Sequence, residues 1–122
     1  MRPSSAKAKG RRLQQEVRDL ILERFSELEP DDVVSTSMGA SGTDIKLSPA
    51  ARKKFPYSVE CKNQESISIW SCLEQTETNT KPGTTPLLVF KRNKSKTYVA
   101  IELEHFMDLI HPTVLDESTN EQ

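Results

Sequence analysis

The chain has 122 residues, 34% of them hydrophobic, with 17 basic and 18 acidic side chains and a net charge of −1. That length suits one domain with a modest core, and no apolar run approaches the roughly 18 residues that a bilayer-crossing helix needs, so no membrane contact is expected. The two cysteines lack histidines at zinc spacing and the N-terminus lacks an apolar leader, so a zinc site is excluded and an intracellular, cytoplasmic setting is expected.

Residues 1–9 are rich in Ser, Ala, Lys and Pro and are expected to form a mobile basic arm. From residue 10 to about 28, Leu13, Val17, Leu20, Ile21 and Leu28 recur at helical spacing. Glu16 falls beside that stripe; it is either an edge residue reaching solvent or a site ligand facing the sheet. Glu29-Pro30-Asp31-Asp32 ends the helix. A β-rich run over 33–37 precedes the turn Met38-Gly39-Ala40-Ser41-Gly42, and Asp44-Ile45-Lys46-Leu47 is the next strand. Residues 48–56 form a loop with room for one helical turn, and 57–62 the central strand. A helix over 68–79 turns Ile69, Cys72, Leu73 and Thr76 inward, with Gln75 near its edge, either exposed or reaching the site. After the Pro- and Gly-rich break at 81–86, Leu87-Leu88-Val89-Phe90 is expected to be a fully buried strand. A turn at 92–95, a strand over 97–101 and a short helix over 104–110 with Phe106, Leu109 and Ile110 follow. His105 and His111 have no clear partner and read as surface residues. Pro112 stops the helix, and 112–122 is expected to be a disordered acidic tail. The order is α-β-β-β-α-β-β-α, an α/β (α+β) fold with a mixed sheet flanked by helices.

The chemistry concentrates in Gly42-Thr43-Asp44-Ile45 and Val59-Glu60-Cys61-Lys62. Alternate strand side chains share a face, so Glu60 and Lys62 point one way and Val59 and Cys61 the other. Asp44 lies on its strand opposite Ile45 and Leu47, which look like core. Two carboxylates and one ammonium can then meet at a sheet edge. Mg²⁺ needs little more from a protein: one oxygen each from Asp44 and Glu60, and a backbone carbonyl, assigned to Cys61. An ion there polarises a phosphoryl oxygen and acidifies a bound water. Lys62, kept protonated by the carboxylates, offsets charge on the phosphorus or positions the attacking water. Without further context, Asp and Glu-x-Lys are common enough to be ordinary surface chemistry.

With these two segments, Lys9-Gly10-Arg11-Arg12-Leu13-Gln14-Gln15-Glu16-Val17 and Trp70-Ser71-Cys72-Leu73-Glu74-Gln75 complete a pattern. The chain resembles the PD-(D/E)XK nucleases over about residues 8–110, and within them is most similar to archaeal-type Holliday junction resolvases. The resemblance implies a restriction-endonuclease-like core over 10–111. By it, Asp44, Glu60 and Lys62 are the catalytic core, Glu16 a further acidic catalytic residue and Gln75 a helix glutamine of the site. Thr43 stands where the family name has Pro, a position that shapes the turn. Mg²⁺ as cofactor, with Mn²⁺ able to substitute, cleavage leaving 5′-phosphate ends, and a role in recombination or repair follow from the resemblance. So does branched DNA, above all the four-way junction, as partner. Two symmetric cuts call for two sites, hence a homodimer, through Phe106, Leu109 and Ile110 or the Trp70 helix. A chain this small suits a virus or mobile element. Two rivals stay open: a nuclease of another specificity (nickase, single-strand or restriction-type), and a non-catalytic DNA-binding module on the same fold.

Charge distribution fits a nucleic-acid partner better than net charge does. Residues 101–122 hold six acids and no Lys or Arg, leaving 17 basic against 12 acidic side chains in the rest. The basic groups cluster at Lys7, Lys9, Arg11 and Arg12, at Arg52, Lys53 and Lys54, and at Lys91, Arg92, Lys94 and Lys96. Each cluster alone is as readily a solvated surface patch. Lys9, Arg11, Arg12, Arg52, Lys53, Lys54, Lys91, Arg92 and Lys94 are the expected phosphate contacts.

Overall fold

A computed structural model describes residues 3–36 and 42–113 of the chain. Helix α1 (Pro3–Arg24) begins well before residue 10, so the described part of the expected arm is helical. Proline suits a first helical turn, and the Ser, Ala and Lys that follow contain no breaker. Tertiary contacts also hold this end: Asn63 donates its amide to the Lys9 carbonyl at 3.2 Å. Leu13 and Ile21 are buried and Val17 packs beside them. Leu20 is instead 47% exposed, because it lies about 100° round the helix from Ile21.

A 3-10 turn (Pro30–Asp32) leads into β1 (Val33–Ser35), which pairs antiparallel with β2 (Ile45–Leu47), Val33 opposite Leu47. Between them, residues 37–41 lie outside the described part, and with them most of the expected glycine turn. Gly42 has φ +92°, a conformation in which any side chain is strained. Helix α2 (Pro49–Lys54) is the helical turn the loop had room for. Ser48 caps it, accepting from the Ala51 N–H at 3.1 Å while donating to Asp32 at 2.6 Å.

The second sheet has the order β3 (Tyr57–Asn63), β4 (Thr85–Lys91), β5 (Tyr98–Ala100), with β3 parallel to β4 and β5 antiparallel to it. Within it β4, not β3, is the centre. The apolar run of β4 explains this, since Leu88 and Val89 lie on opposite faces and both are buried. Its ends, Leu87 and Phe90, are only partly buried. The other edge of β3 meets the residue before β2, where the Asp44 N–H donates to the Val59 carbonyl at 2.9 Å.

Helix α1 covers one face of β3, where Val59, Cys61 and Val89 join Leu13 and Ile21 in the core. Helix α3 (Ile69–Thr78) covers the other face through Cys72 and Thr76. Ser58, Glu60 and Lys62 belong to that second face. Helix α4 (Leu103–Ile110) closes the described chain. His105, read from sequence as unpartnered, bonds the Tyr57 hydroxyl at 2.6 Å and sets its ring edge-on to that phenol. The acidic tail beyond Thr113 lies outside the described residues. Among the described residues, no helix is long and apolar enough to cross a membrane.

Candidate active site

Asp44 is held by backbone pairing on both sides. Its N–H goes to Val59 and its Oδ2 accepts the Cys61 N–H at 2.7 Å. Its carbonyl accepts from the Thr36 N–H at 2.9 Å, which ties it to the residue after β1. Thr43, in the place of the family's Pro, is buried and donates its hydroxyl to the Ile45 carbonyl at 3.0 Å. That bond ties Thr43 to the first residue of β2.

Glu60 is only 3% exposed. It extends from β3 to the α3 side, where the Asn79 amide donates to its Oε1. Burial pushes its carboxyl up to about 7; the Asn79 amide pulls it down, the neighbouring Asp44 carboxylate pushes it up, and the Lys62 ammonium pulls it down. The Asp44 carboxylate is close enough to Glu60 to help raise its pKa, so without a cation Glu60 holds its proton well above the ordinary carboxylate range. Lys62 is half-buried on the same face of β3.

N–H and C=O of one strand residue point to the same edge. Because the Cys61 N–H bonds Asp44, the Cys61 carbonyl also lies on that edge, away from β4. The Cys61 thiol faces the α1 core, and burial among the charges of Asp44, Glu60 and Glu16 raises its pKa strongly. It stays a neutral thiol, so the residue offers a metal its carbonyl and not its sulfur.

Among the described residues, no three His, Cys, Asp or Glu side chains form a metal-type group. A hard cation such as Mg²⁺ needs only one or two carboxylates from the protein and keeps several of its waters. The donor set of Asp44, Glu60 and the Cys61 carbonyl therefore fits Mg²⁺, all oxygen and with a proton for the ion to displace.

Other expected site residues are less central. Glu16 is exposed on α1 and accepts from the Thr97 hydroxyl at 3.3 Å; its charge reaches the Cys61 thiol. Gln75 is exposed on α3, and it is Asn79, one turn further on, whose amide bonds Glu60. Asn79 was not singled out from sequence. The available signal was its position four residues after Gln75, hence on the same helix face.

The basic clusters sit on separate elements. Arg11 and Arg12 are exposed on α1. Lys9 is buried, with its ammonium 3.8 Å from Glu65, so it is not the open phosphate contact its cluster suggested. On α2, Lys53 is exposed, Arg52 donates to the Leu47 carbonyl at 2.8 Å, and Lys54 pairs with Glu27 at 3.1 Å. Lys91 ends β4, and Arg92 and Lys94 are exposed in the turn after it.

Comparison with protein-family models gives a match. The model of the family described as "Phage putative PDDEXK endonuclease" aligns with residues 5–117. No curated protein and no solved structure matches the chain.

Proposed function

The chain belongs to the phage PDDEXK endonuclease family, and from that premise we propose that it is a Mg²⁺-dependent endonuclease acting on branched DNA, the four-way junction above all, as a homodimer. The observation that carries the metal-dependent chemistry is the buried Glu60 beside Asp44, on the edge that bears the Cys61 carbonyl. Asp44, Glu60 and that carbonyl would hold the ion. Bound there, Mg²⁺ supplies a Lewis acid for a phosphoryl oxygen and a water acidic enough to attack at neutral pH.

The chain's own residues do the rest. Asn79 fixes one oxygen of Glu60 and leaves the other toward Asp44. The Cys61 N–H fixes one oxygen of Asp44. Both carboxylates are thus anchored through one oxygen before the site fills. Lys62, on the face of Glu60, offsets the charge that builds on phosphorus. Glu16 and Gln75 flank this centre as outer members of the site. Arg11, Arg12, Arg52, Lys53, Lys54, Lys91, Arg92 and Lys94 contact phosphates, with affinity falling as salt rises.

The support for a dimer is the outward stripe of α4. Leu103, Phe106, Met107 and Ile110 recur at helical spacing and are 71%, 47%, 51% and 64% exposed. A second copy is the occupant that two symmetric cuts require. The test is cleavage of a labelled four-way junction and a matched linear duplex, with Mg²⁺ or EDTA, by wild type and Glu60→Gln. Paired metal-dependent cuts near the branch, absent in the variant, are expected. Equal cutting of both DNAs would discard the junction preference, and no cutting would leave a binding module.

A further inference from the structure

The register of the second sheet aligns three side chains across one face: Lys62 opposite Phe90, and Phe90 opposite Tyr98. Paired residues in a sheet share a face, so this row lies on the side of Glu60. Beyond Lys62 the row opens into a recess of about 500 Å³, whose floor includes Phe90, Tyr98, Ile67 and Ile69 and whose rim carries Lys91 and Arg92. Recesses that take small ligands run from about 300 to 1,000 Å³.

Resting on the nuclease reading above, we propose that this recess binds an unpaired nucleobase of the DNA, stacked on Tyr98, with Lys91 and Arg92 on the adjoining phosphates. Tyr98 is 54% exposed, its ring 6.2 Å from that of Phe90 and tilted 33° to it. An aromatic face left open beside cations is what a base and its phosphate require together. The acid at the rim does not oppose this. Glu65 accepts the Asn93 N–H at 2.6 Å and lies 3.8 Å from the Lys9 ammonium, so its charge is already engaged.

Those contacts also pre-form the site. Glu65 ties the turn bearing Arg92 to the segment that follows β3, and the Ser95 hydroxyl accepts the Arg92 N–H at 3.0 Å. Little ordering is left for the ligand to impose. Bases inside a duplex have both faces covered by their neighbours, so only an unpaired nucleotide presents a face to Tyr98. The recess would thus select strands interrupted by a branch, bulge or single-stranded stretch and seat the interruption beside Lys62.

The test is binding in EDTA of two DNAs: a duplex with one bulged fluorescent purine analogue, and the same duplex fully paired. Wild type, Tyr98→Phe and Tyr98→Leu are compared, with thermal melts to show that each is folded. Wild type is expected to prefer the bulged DNA and to quench the analogue. Phe should keep both properties. Leu, apolar but without a ring, should lose the quenching and at least about five-fold in affinity for the bulged DNA, the lower end of base–aromatic stacking. Equal wild-type affinity for both DNAs, or a Leu variant that keeps preference and quenching, would overturn the proposal and leave the recess to a protein surface. Mg²⁺-dependent cutting by wild type is read on the same two DNAs in parallel reactions with Mg²⁺ in place of EDTA. Its presence in such a case would keep the nuclease reading, whereas no DNA binding and no cutting would remove both.

Discussion

Glu60 and helix α4 break the usual rule of burial in opposite directions. Glu60 is a carboxylate at 3% exposure, while Leu103 on α4 is an aliphatic side chain at 71%. A buried carboxylate costs stability unless it is paired or protonated, and an exposed apolar stripe forgoes the gain from leaving water. Each region is unfavourable for the isolated chain. They differ in what would relieve them. Around Glu60 the donors are oriented at a point, by Asn79 and by the Cys61 N–H on Asp44, so a compact charge is the complement. Along α4 there is one aromatic anchor, Tyr57 with His105, and otherwise a broad apolar strip, so a surface is the complement. Local departures from patterning of this kind mark function more sharply than composition does.

Removing the carboxylate charge is the strongest way to break the comparison. Glu60→Gln should abolish Mg²⁺-dependent cleavage and leave DNA binding intact, as read by gel shift beside a cleavage time course. Lys62→Ala comes next, with a loss of at least ~10²-fold in single-turnover rate, the scale of one transition-state donor. Near-normal turnover would take Lys62 out of the site.

A third prediction concerns pH. The folded-state pKa of Glu60 is raised to about 7 from its ordinary 4.5, so the native state keeps a proton that the unfolded chain has lost. Stability of the metal-free protein should therefore fall as pH rises from about 4.5 to about 7 and level off above, by up to about 3 kcal/mol. Mg²⁺ displaces that proton, so it should raise Tm more at pH 8 than at pH 5. Glu60→Gln should flatten both trends in melts across that range.

The smallest effect belongs to α4. Leu103→Glu with Ile110→Glu should change the monomer's Tm little, since neither side chain is buried. It should weaken self-association in sedimentation and, on the dimer reading, uncouple the paired cuts on a junction. Unchanged association would assign the stripe another role.

Much of this molecule was legible in the chain because it rests on short-range geometry. The order of helices and strands follows from hydrophobic period, and the shared face of Glu60 and Lys62 follows from strand alternation. The segments around Asp44 and Glu60, taken with residues 9–17 and 70–75, were enough to point to the superfamily. The α2 turn and the start of α1 were less legible, since a capping hydroxyl bonded to Asp32 and an anchor from Asn63 hold them.

What the tertiary structure alone decided is how separate segments meet. It brought Asp44 to the edge of β3, set Asn79 on Glu60, buried Lys9 beside Glu65, and left the α4 stripe facing outward. It also made Glu60 a carboxylate that gives up its proton near pH 7 rather than in the ordinary carboxylate range. Spacing along a chain determines which side chains share a face. Burial, and with it a group's charge, depends on what covers that face, and in a fold of this order the covering elements come from distant parts of the chain.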